Sequence, residues 1–202
     1  GNILRHGAHY GDSEVKAAQL ARKGLTLIHP FDDPRVVAGQ GTIAIEIDED
    51  APHELEKVVV PVGGGGLIAG VALGLFHRRP GVEIIGVEPV AAPSLTRALE
   101  AGGPVPIEPL PTCADGLSPR STGEISYEVA RNHVNHTVLL GEEELLAGSR
   151  YCFHELKLVV EPSGAAGVAA LLSGRISASG PIAVIVSGSN LDPKYYERVI
   201  HA

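Results

Sequence analysis

Methionine is absent from all 202 residues, and the chain opens Gly1-Asn2-Ile3-Leu4. Such a start implies either trimmed residues or a piece of a longer polypeptide, and the motifs described below favour the second. Basic clusters are missing as well. The formal net charge is −8, with no block of Lys and Arg, which excludes the clustered cations a nucleic-acid surface needs against phosphates. No apolar run reaches the roughly 18 residues that would span a bilayer, and no signal-peptide pattern opens the chain. Neither nucleic acid nor membrane is therefore an expected partner. Cysteine is scarce: Cys113 and Cys152 lie far apart in unlike contexts and are read as reduced thiols of a cytoplasmic protein. What is present is a chain 44% hydrophobic and 20% charged, enough for one good-sized core or two small ones. Its 25 glycines suit a fold with many tight strand–helix junctions.

Apolar runs of strand length alternate with helix-like segments. Strands are expected at residues 25–28, 57–62, 83–88, 137–140 and 182–186. The β-branched run Val58-Val59-Val60 is of the kind buried on both faces of a parallel sheet. Helices are expected over 36–47, with Asp33-Pro34 as cap and first-turn proline, and over 67–77, 94–101, 124–133, 142–158 and 163–172. Residues 104–120, rich in Pro and turn formers, are read as a loop. The alternation predicts an α/β layered fold with a mostly parallel sheet.

Four motifs carry chemistry. The strongest is Val60-Pro61-Val62-Gly63-Gly64-Gly65-Gly66-Leu67-Ile68-Ala69-Gly70, a strand feeding a glycine run that opens a helix. Without Cβ atoms the backbone can approach an anion closely and turn its N–H groups inward, and a helix N-terminus adds positive potential. A phosphate is the natural guest. One glycine would serve a plain strand–helix turn, and four exceed that need. The run is not G-x-x-x-x-G-K-[ST], which disfavours a nucleotide P-loop. A dinucleotide loop stays open, with Glu83 and Glu88 about 20 residues on, where a ribose-binding acid belongs, although the spacing after Gly66 fits it poorly. Ile185-Val186-Ser187-Gly188-Ser189-Asn190 ends the last apolar strand, at the sheet edge where ligands gather. A serine hydroxyl there could meet a ring nitrogen, and a plain strand-ending turn explains the motif equally well. In Val159-Val160-Glu161-Pro162-Ser163-Gly164, Glu161 and Pro162 suit a helix start. His29-Pro30-Phe31-Asp32-Asp33-Pro34 has the look of a metal or acid–base cluster, but no second histidine lies at ligand spacing, so a solvated helix-start loop is the default.

Together and in this order, these motifs resemble the fold-type II pyridoxal-phosphate enzymes, nearest to the threonine/serine dehydratase and serine racemase branch. Val87-Glu88-Pro89, Ala114-Asp115-Gly116 and Ala38-Gly39-Gln40-Gly41-Thr42 extend the likeness along nearly the whole chain. The resemblance implies a three-layer, tryptophan synthase β-like α/β fold, with residues 1–31 as the end of a small domain and 32–202 as the large one. It implies that Gly63, Gly64, Gly65, Gly66 and Leu67 bind the phosphate of pyridoxal 5'-phosphate through backbone N–H groups. Ser187 would bond the pyridine nitrogen, Glu161 would orient the ring, and Phe31, Asp115 and Gly116 would border the substrate. A cation site is implied at Glu88, the Ala92 carbonyl and position 94. Ser94 stands where such enzymes carry aspartate, which weakens hard divalent cations and leaves a monovalent ion, or none, the more fitting.

The implied activity is elimination of water and ammonia from threonine, serine or a related 3-hydroxy amino acid to leave a 2-oxo acid. A racemase of the same branch and a lysine-free, non-catalytic binding module are the alternatives. The Schiff-base lysine of such enzymes stands in a Ser-x-Lys context, and none of Lys16, Lys23, Lys57, Lys157 and Lys194 does. Roughly the first third of such an enzyme is therefore expected to lie outside this sequence, and residues 8–14 look shortened. A homodimer acting on a small amino acid is the implied assembly.

Overall fold

The computed structural model describes residues 1–7 and 10–201. Ala8 and His9, inside the stretch read as shortened, lie outside the described residues. The chain runs α1 (Tyr10–Ala21), α2 (Pro34–Gln40), α3 (Thr42–Asp50), β1 (Lys57–Pro61), α4 (Gly66–Phe76), β2 (Glu83–Pro89), α5 (Ser94–Ala101), a short 3-10 turn (Asp115–Leu117), α6 (Glu124–His133), β3 (His136–Leu140), α7 (Glu142–His154), α8 (Pro162–Leu172), β4 (Ile182–Val184) and α9 (Pro193–His201). The four described strands form one sheet in the order β3-β2-β1-β4, with every pair parallel.

The period of two along β1 decides the layering. Val58, Val60 and Val62 pack with Ile68, Val71 and Leu75 of α4, Leu95 of α5 and Ala130 of α6. Val59, between them, packs to the other side with Leu145 of α7 and Ala166 and Ala169 of α8. Helices therefore cover both faces, and the central strand is a continuous apolar run because it has no solvent side. Parallel pairing puts every strand's C-terminal end on one edge, so the residues after β1, β2 and β4 come to the same rim.

Several expected elements differ in extent. Residues 25–28 form no strand: Leu25 and Ile28 are 61% and 67% exposed and pair with no described strand. A short apolar run identifies a strand only where a neighbour offers a ladder. The helix expected over 36–47 is two, broken at Gly41, where the Thr42 hydroxyl donates to the Gly39 carbonyl at 2.8 Å. The helix expected to reach residue 158 stops at His154. Lys157 adopts φ 60°, and the Leu158 N–H returns to the Cys152 carbonyl at 2.9 Å, a left-handed terminus that overrides the apolar pattern. The last strand is short and half-buried because it pairs only with the first three residues of β1. Sequence pattern missed α9, whose first turn is held by Asp192 Oδ1 accepting from Tyr195 N at 2.9 Å.

Candidate functional site

The His29–Asp33 segment shapes the rim without forming a metal cluster. Asp33 caps α2 by accepting from Arg35 N at 2.8 Å. Asp32 accepts from Glu124 N at 3.1 Å and Ile125 N at 2.9 Å, so it caps α6 from a distant part of the chain. His29 Nδ1 accepts from Asp32 N at 2.8 Å. With these polar groups engaged, the Phe31 ring is laid over the glycine run: a Cβ on Gly64 would fall 2.3 Å from it.

The glycine run joins β1 to α4. Gly65 has φ 89°, left-handed backbone that favours a residue without Cβ. The carbonyls of the run turn away from the rim: Gly63 O accepts from Ser94 Oγ, Gly64 O from Gly123 N, and Gly65 O from Ala69 N. The N–H groups from Gly63 to Ile68 find no acceptor among the described residues. Gly63 to Leu67 border a cavity of 310 Å³, lined also by Phe31, Gly116, Glu161, Ser163 and Ser187. A row of unpaired donors at a helix N-terminus is an anion site by construction. Pyridoxal phosphate fits this arrangement on its phosphate side.

Across the cavity, Glu161 precedes α8. Its Oε2 accepts from Asn190 N at 2.9 Å, and its own N–H donates to Gly188 O at 3.1 Å, so β4's trailing loop and the start of α8 are tied together. Burial raises the Glu161 carboxyl above the ordinary range, and the Asp115 charge raises it further against the Asn190 N–H. Ser187 is exposed on the rim, its hydroxyl without a partner among the described residues. Gly116 is held by its N–H donating to Ser163 Oγ at 3.1 Å. Asp115 is exposed and does not line the cavity. None of the five lysines lines it either. A larger cleft of 770 Å³ lies at the opposite sheet edge, around Asp48, Arg78 and Glu83, away from the glycine run.

Glu88 is buried at the end of β2. Its Oε1 accepts from Leu95 N at 2.7 Å and faces Ser94 Oγ at 3.5 Å, while its Oε2 accepts from Thr96 N at 2.9 Å and Thr96 Oγ1 at 2.6 Å. The Ala92 carbonyl accepts Ser94 N. Three donors, Leu95 N, Thr96 N and Thr96 Oγ1, engage the carboxylate, so the group as arranged secures the N-terminus of α5 and offers no set of anionic ligands to a cation. Among the described residues, no group of three or more His, Cys, Asp or Glu is placed to hold a metal.

The family profile described as pyridoxal-phosphate dependent enzyme matches residues 1–188. The chain belongs to this family. The pyridoxal-phosphate family chain is 37% identical over 200 residues to an L-threonine ammonia-lyase of Thermotoga maritima, covering 98% of this chain and 50% of that protein. It is 36% identical over 205 residues to a serine racemase of Arabidopsis thaliana, covering 95% of this chain and 61% of that one. The processed form of threonine deaminase isoform 2 from Solanum lycopersicum superposes on it with a TM-score of 0.90 at 34% identity, over 100% of this chain and 60% of that structure. The chain thus spans about half the length of the first of these relatives. No described helix is long and apolar enough to cross a membrane.

Sequence reasoning named the glycine run, Glu161 and Ser187, which the structure brings to one cavity. It missed two further hydroxyls. Thr122 Oγ1 donates to Gly64 O at 3.3 Å from a stretch with no motif. Ser163 lay inside a quoted motif, but only the fold brings its hydroxyl to Gly116.

Proposed function

We propose that this chain forms the phosphate-holding part of a pyridoxal-phosphate-dependent ammonia-lyase that converts L-threonine, L-serine or a related 3-hydroxy amino acid to a 2-oxo acid and ammonia. The observation that carries this reading is the row of N–H groups from Gly63 to Leu67, without acceptors among the described residues, on a cavity that Glu161 and Ser187 also line. The likeness to an L-threonine ammonia-lyase supports the reaction class. Residues 32–202 would be the large domain and residues 1–31 the end of a smaller one; α1, within the latter, has no buried residue.

When bound, the cofactor supplies an electron sink for the charge left as the amino acid's α-proton departs. The chain's own residues do the rest. Gly63, Gly64, Gly65, Gly66 and Leu67 hold the phosphate by backbone N–H groups. The Ser187 hydroxyl, free on the rim, would be the partner of the cofactor's ring nitrogen, a neutral group where a carboxylate would favour its protonation. Glu161 would stand beside the ring, with burial holding its carboxyl above the ordinary range. Phe31, Leu67 and Leu117 line the cavity and would keep water from the phosphate, and Gly116, with Asp115 on the outer rim, would border the substrate.

The unpaired Cys113 and Cys152 support a reducing, cytoplasmic setting. The exposed apolar side chains Ile45, Leu73 and Phe76 on α3 and α4 support a homodimer.

The test is twofold. The longest natural polypeptide containing this sequence is titrated with pyridoxal phosphate, followed by cofactor fluorescence. It is also assayed for 2-oxo acid from L-threonine and L-serine. Saturable binding and oxo-acid release are expected; D-serine in place of oxo acid indicates the racemase reading. Absence of binding sinks the proposal.

A further inference from the structure

We infer that Ser94 and Thr122 are positioning residues that aim the N–H groups of the glycine cradle at the phosphate. This inference rests on the cofactor site proposed above and extends it to residues that do not touch the cavity.

The argument begins with the peptide plane. In a trans peptide the carbonyl and the following N–H point in opposite directions, so fixing one carbonyl fixes the next residue's donor. Gly63 O accepts from Ser94 Oγ at 3.1 Å, which directs the Gly64 N–H the other way. Gly64 O accepts from Thr122 Oγ1 at 3.3 Å and from Gly123 N at 3.0 Å, which directs the Gly65 N–H. Gly65 O accepts from Ala69 N at 3.0 Å, the first bond of α4, which directs the Gly66 N–H. Three successive donors are thus set by four hydrogen bonds to three carbonyls.

A glycine run needs this external restraint. Four residues without side chains have the widest backbone freedom, and ordering them only as the ligand arrives would weaken binding. The restraints come from two separate elements. Ser94 is buried in the first turn of α5, which the Glu88 carboxylate anchors through Leu95 N and Thr96 N. The Ser94 hydroxyl has one proton, and the nearer acceptor is Gly63 O at 3.1 Å, against 3.5 Å to Glu88 Oε1. Thr122 is buried just before α6, whose N-terminus Asp32 caps. The loop is therefore gripped from α5 on one side and from the α6 approach on the other.

The test compares two ligands that differ only in the group the cradle would hold. Ser94→Ala, Thr122→Val, the double variant and Thr122→Ser are made in the longest natural polypeptide containing this sequence. Each is titrated with pyridoxal phosphate and with pyridoxal, which keeps the ring and aldehyde and lacks the phosphate. Circular dichroism checks folding. Ser94→Ala and Thr122→Val are each expected to weaken pyridoxal phosphate about five- to tenfold, the equivalent of one misdirected hydrogen bond, while pyridoxal is unchanged. Thr122→Ser keeps a hydroxyl and is expected to bind as the parent does. Parent-like pyridoxal phosphate binding by the double variant overturns the inference, as does an equal loss for both ligands. A parent chain that shows no preference for pyridoxal phosphate over pyridoxal overturns the cradle itself, and this inference with it.

Discussion

Gly65→Ala tests whether the glycine run is required by geometry. The methyl group meets two separate obstacles. The first is conformational: at φ 89° an L-residue brings its Cβ against the following carbonyl, at about 1–2 kcal/mol. The second is steric. The added Cβ would lie 2.6 Å from Ser126 Cβ and 3.1 Å from both Ser126 Oγ and Thr122 Oγ1. Ser126 is fully buried and has no room to withdraw, so overpacking adds about 1–3 kcal/mol. The total is about 2–5 kcal/mol, a large share of the 5–15 kcal/mol typical of a domain. Gly81→Ala supplies the matched control. Gly81 has φ 96°, and a Cβ there meets nothing within 4 Å, so it bears the conformational term alone. The unfolded-state benefit of replacing glycine is common to both and cancels in the comparison. Urea unfolding of both variants at unchanged m-value should place Gly65→Ala below Gly81→Ala by the steric term, about 1–3 kcal/mol. Equal losses in the two variants would refute the claim that the space behind Gly65 is filled.

Three further outcomes are expected. Glu88→Leu leaves the Leu95 and Thr96 N–H groups without their acceptor; at about 1–3 kcal/mol for each orphaned donor, less the relief of a buried charge, a loss of about 2–4 kcal/mol in urea unfolding is expected, and a neutral result would show that α5 does not depend on the carboxylate. Burial and the Asp115 charge hold Glu161 above the ordinary glutamate value of 4.5. The folded state therefore binds that proton more tightly, and its contribution to stability is full below 4.5 and declines as pH rises through the folded value. Glu161→Gln removes the titration, so its urea midpoint should gain on the parent's as pH rises above 4.5; parallel profiles would contradict the shift. Burial, with the neighbouring Glu142, pushes the Cys113 thiol up to about 12 from 9.0, so iodoacetamide at neutral pH should alkylate it about a thousandfold more slowly than a free thiol, in proportion to its thiolate. A rate like that of free cysteine would show the site to be open.

Local sequence alone determined the elements whose pattern and punctuation agree. The bounds of α5 and α6 follow from apolar period and flanking Gly and Pro, and β1 is fixed by a β-branched run that no helix would favour. The proposed anion cradle was legible for the same reason: four glycines between a strand and a helix have a local physical meaning that needs no neighbour. Tertiary structure decided the rest. Residues 25–28 carry an apolar strand pattern, but a strand exists only with a partner, and none pairs there among the described residues. The apolar period past His154 was overridden by one left-handed residue, Lys157, which periodicity does not encode. Asp32 read as a loop acid, and only the fold carries it across to cap α6, 92 residues away. The glycine run was visible in the sequence, but the Ser94 and Thr122 hydroxyls that bond its carbonyls come behind the loop only through α5 and the approach to α6. Peptide orientation in a glycine run is set by whatever packs against it, and that information resides in the contacts between distant segments.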